Sequence, residues 1–311
     1  MTKTSSFPYP QSAALVTGAS RGIGAAIARE LARRGIAALA LTARTAADLD
    51  RVADEIRSAF PATRIEVIAA DLAEPDAPAF LKAETDRIGL SVDLLINNAG
   101  FGSYGLFDES ESARNTAMVE VNIAALVKLT HLYLPEMRAR GRGGILNVAS
   151  TAAFQAVPYL AAYSATKAFV LSFSEAVWAE TQEWNPPASD VRVVCLCPGG
   201  TDTNFGDGMD RGRFENGPQS TPEEVAVGGL DALDRNASYV VVGLSNYVGT
   251  LGSRLLPRAR MARMTASMFR PLSSSGPAES EKTRRYLAAG GIVAAIGVVG
   301  VLLAAAKRRG D

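Results

Sequence analysis

Short apolar runs, each long enough for a buried strand, alternate with helical stretches from residue 13 to residue 243. Buried apolar strands that alternate with helices indicate a parallel sheet covered by helices on both faces. We therefore predict an α/β chain with a doubly wound parallel sheet of seven strands. The predicted strands are residues 13–17, 36–41, 65–70, 94–96, 144–149, 191–197 and 238–242.

Polar residues and glycines follow these predicted strands at the points where the strands end. In a parallel sheet, the carboxyl ends of the strands lie along one edge, and ligands bind outside that edge. One site can therefore use all of these residues. In strand order they are Gly18, Arg44, Asp71 with Leu72, Asn98 with Ala99 and Gly100, Ser150, and Pro198 with Gly199.

A glycine-rich turn joins the first strand to an alanine-rich helix. Such a turn allows the backbone to approach a pyrophosphate, whose charge is met by amide groups at the helix N-terminus. The spacing departs from G-x-G-x-x-G, because three residues separate the first two glycines, and a tight turn without a ligand is the alternative interpretation. The candidate cofactor residues of this turn are Thr17, Gly18, Ser20, Arg21, Gly22, Ile23 and Gly24.

Arg44 stands about twenty residues beyond Gly24, where an NAD-binding fold carries an acidic residue for the ribose hydroxyls. A guanidinium there, helped by Arg21, can pair with a 2′-phosphate through its planar fork of donors. The sequence therefore favours NADP over NAD as cofactor. The alternative is an ordinary exposed arginine at a strand end.

Tyr163 and Lys167 are four residues apart in an alanine-rich helical run, so their side chains share one helix face. A fixed ammonium near a phenol favours the phenolate and lowers the tyrosine pKa from its ordinary value of about 10. Asn122 interrupts an apolar helical pattern, and a buried amide needs partners. A solvated Tyr–Lys pair and a packing hydrogen bond are the alternatives without chemistry.

The composition argues against several other classes of function. The 32 basic and 32 acidic residues cancel, which argues against a nucleic-acid binder. Cys195 and Cys197 alternate onto one face of a predicted strand and are expected to fill the core, with no metal site. His131, the single histidine, is expected to be a buried structural residue, so a Ser-His-Asp hydrolase is disfavoured.

These motifs together resemble the short-chain dehydrogenase/reductase family over residues 13–243. The resemblance implies a Rossmann-type domain and a catalytic tetrad of Asn122, Ser150, Tyr163 and Lys167, of which Tyr163 and Lys167 also contact NADP. It further implies that Asp71 contacts the adenine and that residues 97–100 stabilise the sheet centre. The implied nicotinamide turn contains Pro198, Gly199, Thr201 and Thr203, the last bonding the nicotinamide amide.

The resemblance implies an oxidoreductase that reduces a carbonyl or oxidises an alcohol, and we expect an apolar ketone, aldehyde or acyl substrate. Two other functions stay open. The fold can serve as a non-catalytic NADP-binding scaffold or sensor, against which the complete tetrad speaks. It can also carry epimerase or dehydratase chemistry, for which residues 204–220, expected to form a mobile lid, show no sugar-nucleotide feature.

The chain divides into six predicted segments. We expect a disordered N-terminus (1–11), the catalytic domain (12–243), a basic amphipathic extension (244–270), a linker (271–286), a transmembrane helix (287–306) and a basic tail (307–311). Residues 287–306 carry no charge over 20 residues, enough for a helix to cross the hydrocarbon core. The alternatives are a packed helix or a homodimer contact. More basic residues precede this segment than follow it, which predicts a single-pass membrane anchor with a cytoplasmic enzyme.

Overall fold

The computed structural model describes residues 6–184, 190–203 and 219–270. Its strands are β1 Ala13–Thr17, β2 Ala38–Ala43, β3 Arg64–Ala69, β4 Val92–Asn97, β5 Arg142–Val148, β6 Asp190–Cys197 and β7 Tyr239–Val241. Its α-helices are α1 Gly22–Arg33, α2 Ala46–Ala59, α3 Ala77–Arg87, α4 Ser112–Val119, α5 Leu126–Arg140, α6 Ala161–Gln182, α7 Pro222–Asp234, α8 Leu244–Leu255 and α9 Arg258–Phe269.

The strands form one parallel sheet in the order β3-β2-β1-β4-β5-β6-β7. The predicted doubly wound sheet of seven strands is thus confirmed, although several predicted strand limits differ by one or two residues. Strand order reverses between β1 and β4, which places a ligand crevice at the carboxyl ends of these two strands. Across β4 and β5, the Asn97 amide donates to Asn147 Oδ1 at 2.9 Å, as expected for a polar tie at the sheet centre.

Helices cover both faces of the sheet. Helices α1, α2 and α7 pack on one face around residues such as Ile27, Leu49 and Leu230. Helices α3, α5 and α6 pack on the other, where Leu81 and Tyr133 are fully buried. A capping box begins α7, where Thr221 Oγ1 accepts a hydrogen bond from the Glu224 amide. The two apolar layers hold the sheet edges fixed and so position the site.

Residues 6–11 belong to the N-terminal segment that was predicted to be disordered, but they are packed on the domain. Phe7 and Tyr9 are buried, and the Tyr9 hydroxyl donates to Asp234 Oδ1 at 3.1 Å. Arg34 bridges this segment to α7 through an ion pair with Asp234 at 2.8 Å. Two aromatic side chains seven and nine residues from the start thus bury enough surface to order the chain there.

The stretch Ser112–Arg140 is helical throughout, as its pattern predicted, and contains a π-helical turn at Glu120–Ala125. Its 29 residues have an apolar window of mean hydropathy 1.3, so among the described residues it is the one helix long and apolar enough to cross a membrane. Leu129, Tyr133 and Met137 pack into the core beneath the sheet. His131 lies on this stretch but is exposed, so its predicted burial was wrong.

The basic extension is not one continuous amphipathic helix. It forms α8 and α9, separated at Pro257, whose ring cannot continue a helix from the preceding residue. The predicted linker, transmembrane helix and basic tail (271–311) lie outside the described residues, as do residues 204–218 of the predicted lid. Cys195 and Cys197 are buried free thiols on one face of β6, as predicted, with their sulfur atoms 3.8 Å apart.

Candidate active site

A cleft of about 1130 Å³ runs along the carboxyl edge of the sheet. It gathers residues that follow six different strands, which is the arrangement the strand-end pattern predicted. Of the candidate residues, those that line it are Gly18, Ser20, Arg21, Gly22, Ile23, Arg44, Asp71, Leu72, Asn98, Ala99, Gly100, Ser150, Tyr163, Lys167, Pro198, Gly199, Thr201 and Thr203.

The glycine turn forms one end of this cleft, at the N-terminus of α1. Gly18 and Gly22 have φ angles of +64° and +55°, a region that side chains disfavour. A Cβ at Gly18 would lie 2.8 Å from Asn98 Nδ2, so the strand end and the β4 loop meet only because no side chain intervenes. Backbone amides, a helix N-terminus and nearby Arg21 suit a pyrophosphate, and the cleft is long enough for a dinucleotide.

Two predicted cofactor residues of this turn build its wall and do not line the cleft. The Thr17 hydroxyl donates to Ile96 O at 3.1 Å and accepts from the Asn98 and Ala99 amides, which ties β1 to the end of β4. A Cβ on Gly24 would lie 2.2 Å from Gly18 O, so Gly24 lets α1 approach the strand. Both residues therefore support the turn, and their contact with a cofactor stays a prediction.

Arg44 directly follows β2 and lines the cleft. It is exposed and makes no ion pair with a residue that the structure describes. Asp48, in the first turn of α2, lines the same part of the cleft and was missed by the strand-end pattern. Asp71 caps its own loop by accepting a hydrogen bond from the Ala73 amide at 3.0 Å. This part of the cleft thus presents the guanidinium of Arg44 and the carboxylates of Asp48 and Asp71.

Tyr163 occupies the other end of the cleft, on the first turn of α6, and is 8% exposed. Burial raises the pKa of its phenol to about 12, and a hydrogen bond with the Ser150 side chain partly opposes that rise. The predicted lowering of this pKa by Lys167 is not found, because burial raises the pKa. The phenol is protonated at neutral pH and can donate its proton.

Lys167 lies one turn along α6, buried, with its Nζ 5.8 Å from the Tyr163 ring centroid. Its ammonium donates to Val148 O, at the end of β5, at 2.8 Å. Burial lowers the pKa of Lys167 to about 8, so it carries a proton at neutral pH with little margin. A buried cation of this kind calls for a polar ligand at the cleft.

Asn122 lies behind the cleft wall and does not line it. Its amide donates to Phe101 O and to Thr166 Oγ1 at 3.0 Å, and its Oδ1 accepts from the Phe101 amide at 3.1 Å. The π-helical turn around Asn122 is the kind of irregularity that aims a side chain at a site. A Cβ on Gly100 would lie 3.0 Å from Asn122 Oδ1 and 3.3 Å from Lys167 Nζ, so these two groups approach through the glycine.

The loop after β6 covers the middle of the cleft. Pro198 O accepts from the Thr151 amide at 2.9 Å, which ties this loop to the segment after Ser150. Thr203 reaches the glycine turn, because a Cβ on Gly22 would lie 3.2 Å from its Cγ2. Thr201 pairs with Ser220 across a short bridge, and Gly199 packs against Asn246 of α8.

The end of the cleft that holds Ser150, Tyr163 and Lys167, which we call the carbonyl end, has an apolar wall that sequence reasoning missed. Val157, Leu160 and Tyr163 form a cluster with Phe101 and Phe269, the last residue of α9. Two charged residues, Glu111 and Arg114, stand among these apolar groups in the cleft. No local pattern marks them, because their loops and helices are spread over more than 100 residues of chain.

A known family and several individual proteins are similar in sequence to this chain. The family model described as short chain dehydrogenase matches residues 12–213. Very-long-chain 3-oxoacyl-CoA reductase-B of Danio rerio is 42% identical over 172 residues, which are 54% of either chain. 17-beta-hydroxysteroid dehydrogenase type 3 of Mus musculus is 36% identical over 175 residues, 55% of either chain. This chain spans about half the length of the curated relatives it matches.

Among solved structures, a short-chain dehydrogenase from Sphingobium yanoikuyae in complex with NADPH superimposes with a TM-score of 0.69. It is 29% identical in sequence, and the match covers 78% of this chain and 94% of that one. The similarity therefore extends over most of this chain and nearly all of that one.

Proposed function

Because the chain belongs to the short chain dehydrogenase family, whose members are NAD(P)-dependent oxidoreductases, we propose that it is an NADPH-dependent carbonyl reductase acting on a large apolar ketone or acyl substrate. The observation that carries the proposal is the convergence of Ser150, Tyr163 and Lys167 at one end of a cleft whose other end is a glycine turn with Arg21 and Arg44. An oxidoreductase needs a cofactor site and a proton donor in one cavity.

NADP is the cofactor proposed for the glycine-turn end. Gly18 and Gly22 would admit the pyrophosphate, Arg44 and Arg21 the 2′-phosphate, and Thr203 the nicotinamide amide. The bound NADPH seen in the Sphingobium yanoikuyae relative supports this choice over NAD. When bound, NADPH supplies the two electrons that reduce a carbonyl carbon.

The proton and the polarisation are supplied by the chain itself. A substrate oxygen placed between the Ser150 and Tyr163 hydroxyls accepts a hydrogen bond from each, where negative charge develops. Tyr163 then gives its proton to that oxygen, and burial keeps the phenol protonated until this step. The Lys167 ammonium stabilises the phenolate that remains, and Asn122 orders the backbone at Phe101.

The apolar wall and the named relatives support a large apolar substrate. Val157, Leu160 and Phe269 give the carbonyl end surface for an alkyl chain or ring system. The relatives are named for very-long-chain 3-oxoacyl-CoA and for a 17-hydroxysteroid, both bulky ketone or alcohol compounds. In this proposal residues 12–270 form the enzyme, because Phe269 lines the cleft, and residues 287–306 anchor it in a membrane.

The test is cofactor oxidation by the purified chain with a panel of ketones, aldehydes, acyl thioesters and sterols. With a substrate so found, Tyr163→Phe should lower turnover by a factor of about 10² to 10⁴ and leave cofactor binding within about twofold, since only the transferable proton is removed. Tyr133→Phe is the matched control, because that buried phenol is bonded to Thr85 away from the cleft. Turnover of Tyr163→Phe within a few-fold of the parent would remove Tyr163 from the mechanism.

A further inference from the structure

Helix α9 closes the carbonyl end of the cleft with one of its faces. Phe269 lines the cleft, and its carbonyl accepts a hydrogen bond of 2.6 Å from the Tyr104 hydroxyl. One turn earlier, the buried Thr265 hydroxyl donates to Ala156 O at 3.0 Å. Ala156 directly precedes Val157 of the apolar wall, so the position of α9 sets the width of the cleft at the substrate end.

The loop held by α9 leads directly to the proposed proton donor. The Tyr104 ring lies 6.3 Å from the Tyr159 ring, centroid to centroid, and the Gly105 amide donates to Tyr159 O at 2.9 Å. Tyr159 has φ +66°, an uncommon conformation for a non-glycine residue, four residues before Tyr163. The Tyr104 contact therefore links α9 to the segment just before Tyr163.

The opposite face of α9, which we call the outer face, consists of Arg260, Arg263, Met264 and Met268. Met264 and Met268 are 48% and 51% exposed, and both arginines are exposed. Neither arginine makes an ion pair with an acidic residue that the structure describes. No Asp or Glu occurs between Arg235 and Ala278, so this part of the chain is basic without local compensation.

Exposed apolar side chains are also concentrated on the neighbouring helix. Leu244 and Tyr247 of α8 are 80% and 42% exposed, and Leu256 between the helices is 38% exposed. Arginines interleaved with large exposed apolar groups suit the boundary between lipid headgroups and acyl chains. There the basic groups meet anionic phosphates and the apolar groups are removed from water.

We propose that the outer face of α9 lies on an anionic lipid bilayer, and that apolar substrates dissolved in this bilayer enter the cleft beside α9. The inference rests on the proposed carbonyl-reductase function and adds the source and route of the substrate. The occupant is a lipid surface because positive charge and apolar area occur on one helix face. The route follows because the other face of the same helix, at Phe269, is a wall of the cleft.

The first experiment locates the outer face relative to lipid. Met264→Trp in the full chain is incorporated into vesicles of phosphatidylcholine and phosphatidylglycerol whose acyl chains are brominated, and its fluorescence is compared with that of the parent. Quenching of the added tryptophan is expected. Val227→Trp is the matched control, because Val227 is an apolar residue of α7 that is 38% exposed, and it should not be quenched. Equal quenching of both, or of neither, would overturn the proposal.

The second experiment measures entry of substrate. Turnover is compared for a bilayer-dissolved ketone and a water-soluble ketone, in anionic vesicles and in pure phosphatidylcholine vesicles. Arg263→Glu should lower kcat/KM for the bilayer-dissolved ketone about fivefold or more in anionic vesicles, since one arginine near the surface is replaced by a repelled charge. Its turnover of the water-soluble ketone should stay within about twofold. Arg235→Glu, which reverses the charge of an exposed residue at the end of α7, is the control. It should leave turnover of both ketones unchanged.

The two proposals fail in different ways. Absence of turnover with every ketone, bilayer-dissolved as well as water-soluble, would contradict the proposed function, whatever the lipid. Normal turnover of water-soluble ketone combined with equal effects of Arg263→Glu and Arg235→Glu in vesicles would overturn only the role of α9.

Discussion

At the scale of single residues, burial decides the chemistry that the Tyr–Lys spacing only suggests. Tyr163 and Lys167 share a helix face, yet desolvation favours the neutral form of each. It raises the pKa of Tyr163 to about 12 and lowers the pKa of Lys167 to about 8. The phenol is thereby kept as a proton donor. The lysine is still a cation at neutral pH, although burial lowers its pKa to about 8.

Lys167→Met tests the cost of this buried ammonium. Because the folded-state pKa of Lys167 lies below its unfolded value, the unfolded chain binds more protons between about pH 8 and pH 10.5. The stability of the parent should therefore rise over that window, by up to about 3 kcal/mol from this group. Unfolding of the cofactor-free protein by urea, measured at several pH values, should show this rise weakened in Lys167→Met. Lys128→Met, at an exposed position, should keep it, and an unchanged slope in both variants would contradict the argument.

Arg44→Asp tests the proposed choice of cofactor. The substitution replaces a phosphate partner with a repelling charge, and loss of a charged hydrogen bond costs about 1.5–3 kcal/mol. NADPH affinity should fall about ten- to a hundredfold while NADH affinity changes little. Fluorescence titration with both cofactors gives the result. Arg57→Asp in the adjacent helix α2, where Arg57 pairs with Asp54 outside the cleft, should preserve the preference. If Arg44→Asp also preserves it, Arg44 is an ordinary surface residue.

At the scale of elements, close approach between α1 and the end of β1 creates the cofactor end of the cleft. The approach depends on Gly24, where a Cβ would meet the backbone carbonyl of Gly18, an atom that no side-chain rotation can move away. It also depends on Thr17, whose hydroxyl joins β1 to the β4 loop through three hydrogen bonds. Thr17 and Gly24 thus support the turn whose neighbouring residues are proposed to contact the cofactor.

Gly24→Ala should separate α1 from β1 and weaken NADPH binding by at least about tenfold, although alanine is the better helix former by about 1 kcal/mol. Gly249→Ala in α8 is the matched control, because no atom lies within 4 Å of a Cβ placed there. The control should be neutral or slightly stabilising and should bind NADPH normally. Thermal unfolding and cofactor titration of both variants check this, and normal NADPH binding by Gly24→Ala would show that the helix can adjust.

At the scale of the whole molecule, the catalytic sheet, both ends of the cleft and α9 are all present before residue 271. The predicted anchor, 287–306, follows a predicted linker, and both lie outside the described residues. The enzyme and its attachment to a membrane are therefore separable in principle. Helix α9 belongs to the enzyme by its inner contacts, so a cut should come after Phe269.

A chain ending at Arg270 should be soluble and active, whereas the full chain should sediment with membranes and resist carbonate extraction. The shortened chain retains the outer face of α9, so it should bind anionic vesicles at low salt and be released at high salt. Sedimentation of both chains in salt and in carbonate distinguishes a spanning segment from a surface-bound helix. A full chain that stays soluble without detergent would contradict the anchor.

The sequence by itself determined the alternation of strands and helices, the edge of the sheet that carries the site, and the residues of the glycine turn and the Ser–Tyr–Lys group. Those features are local in the chain, because apolar periodicity and strand ends depend on neighbouring residues. Tertiary structure alone decided that Thr17 and Gly24 support the turn, that burial raises the pKa of Tyr163, and that Phe269 closes the cleft. Each of these depends on atoms far apart in sequence, whose distances are fixed only when the helices pack on the sheet.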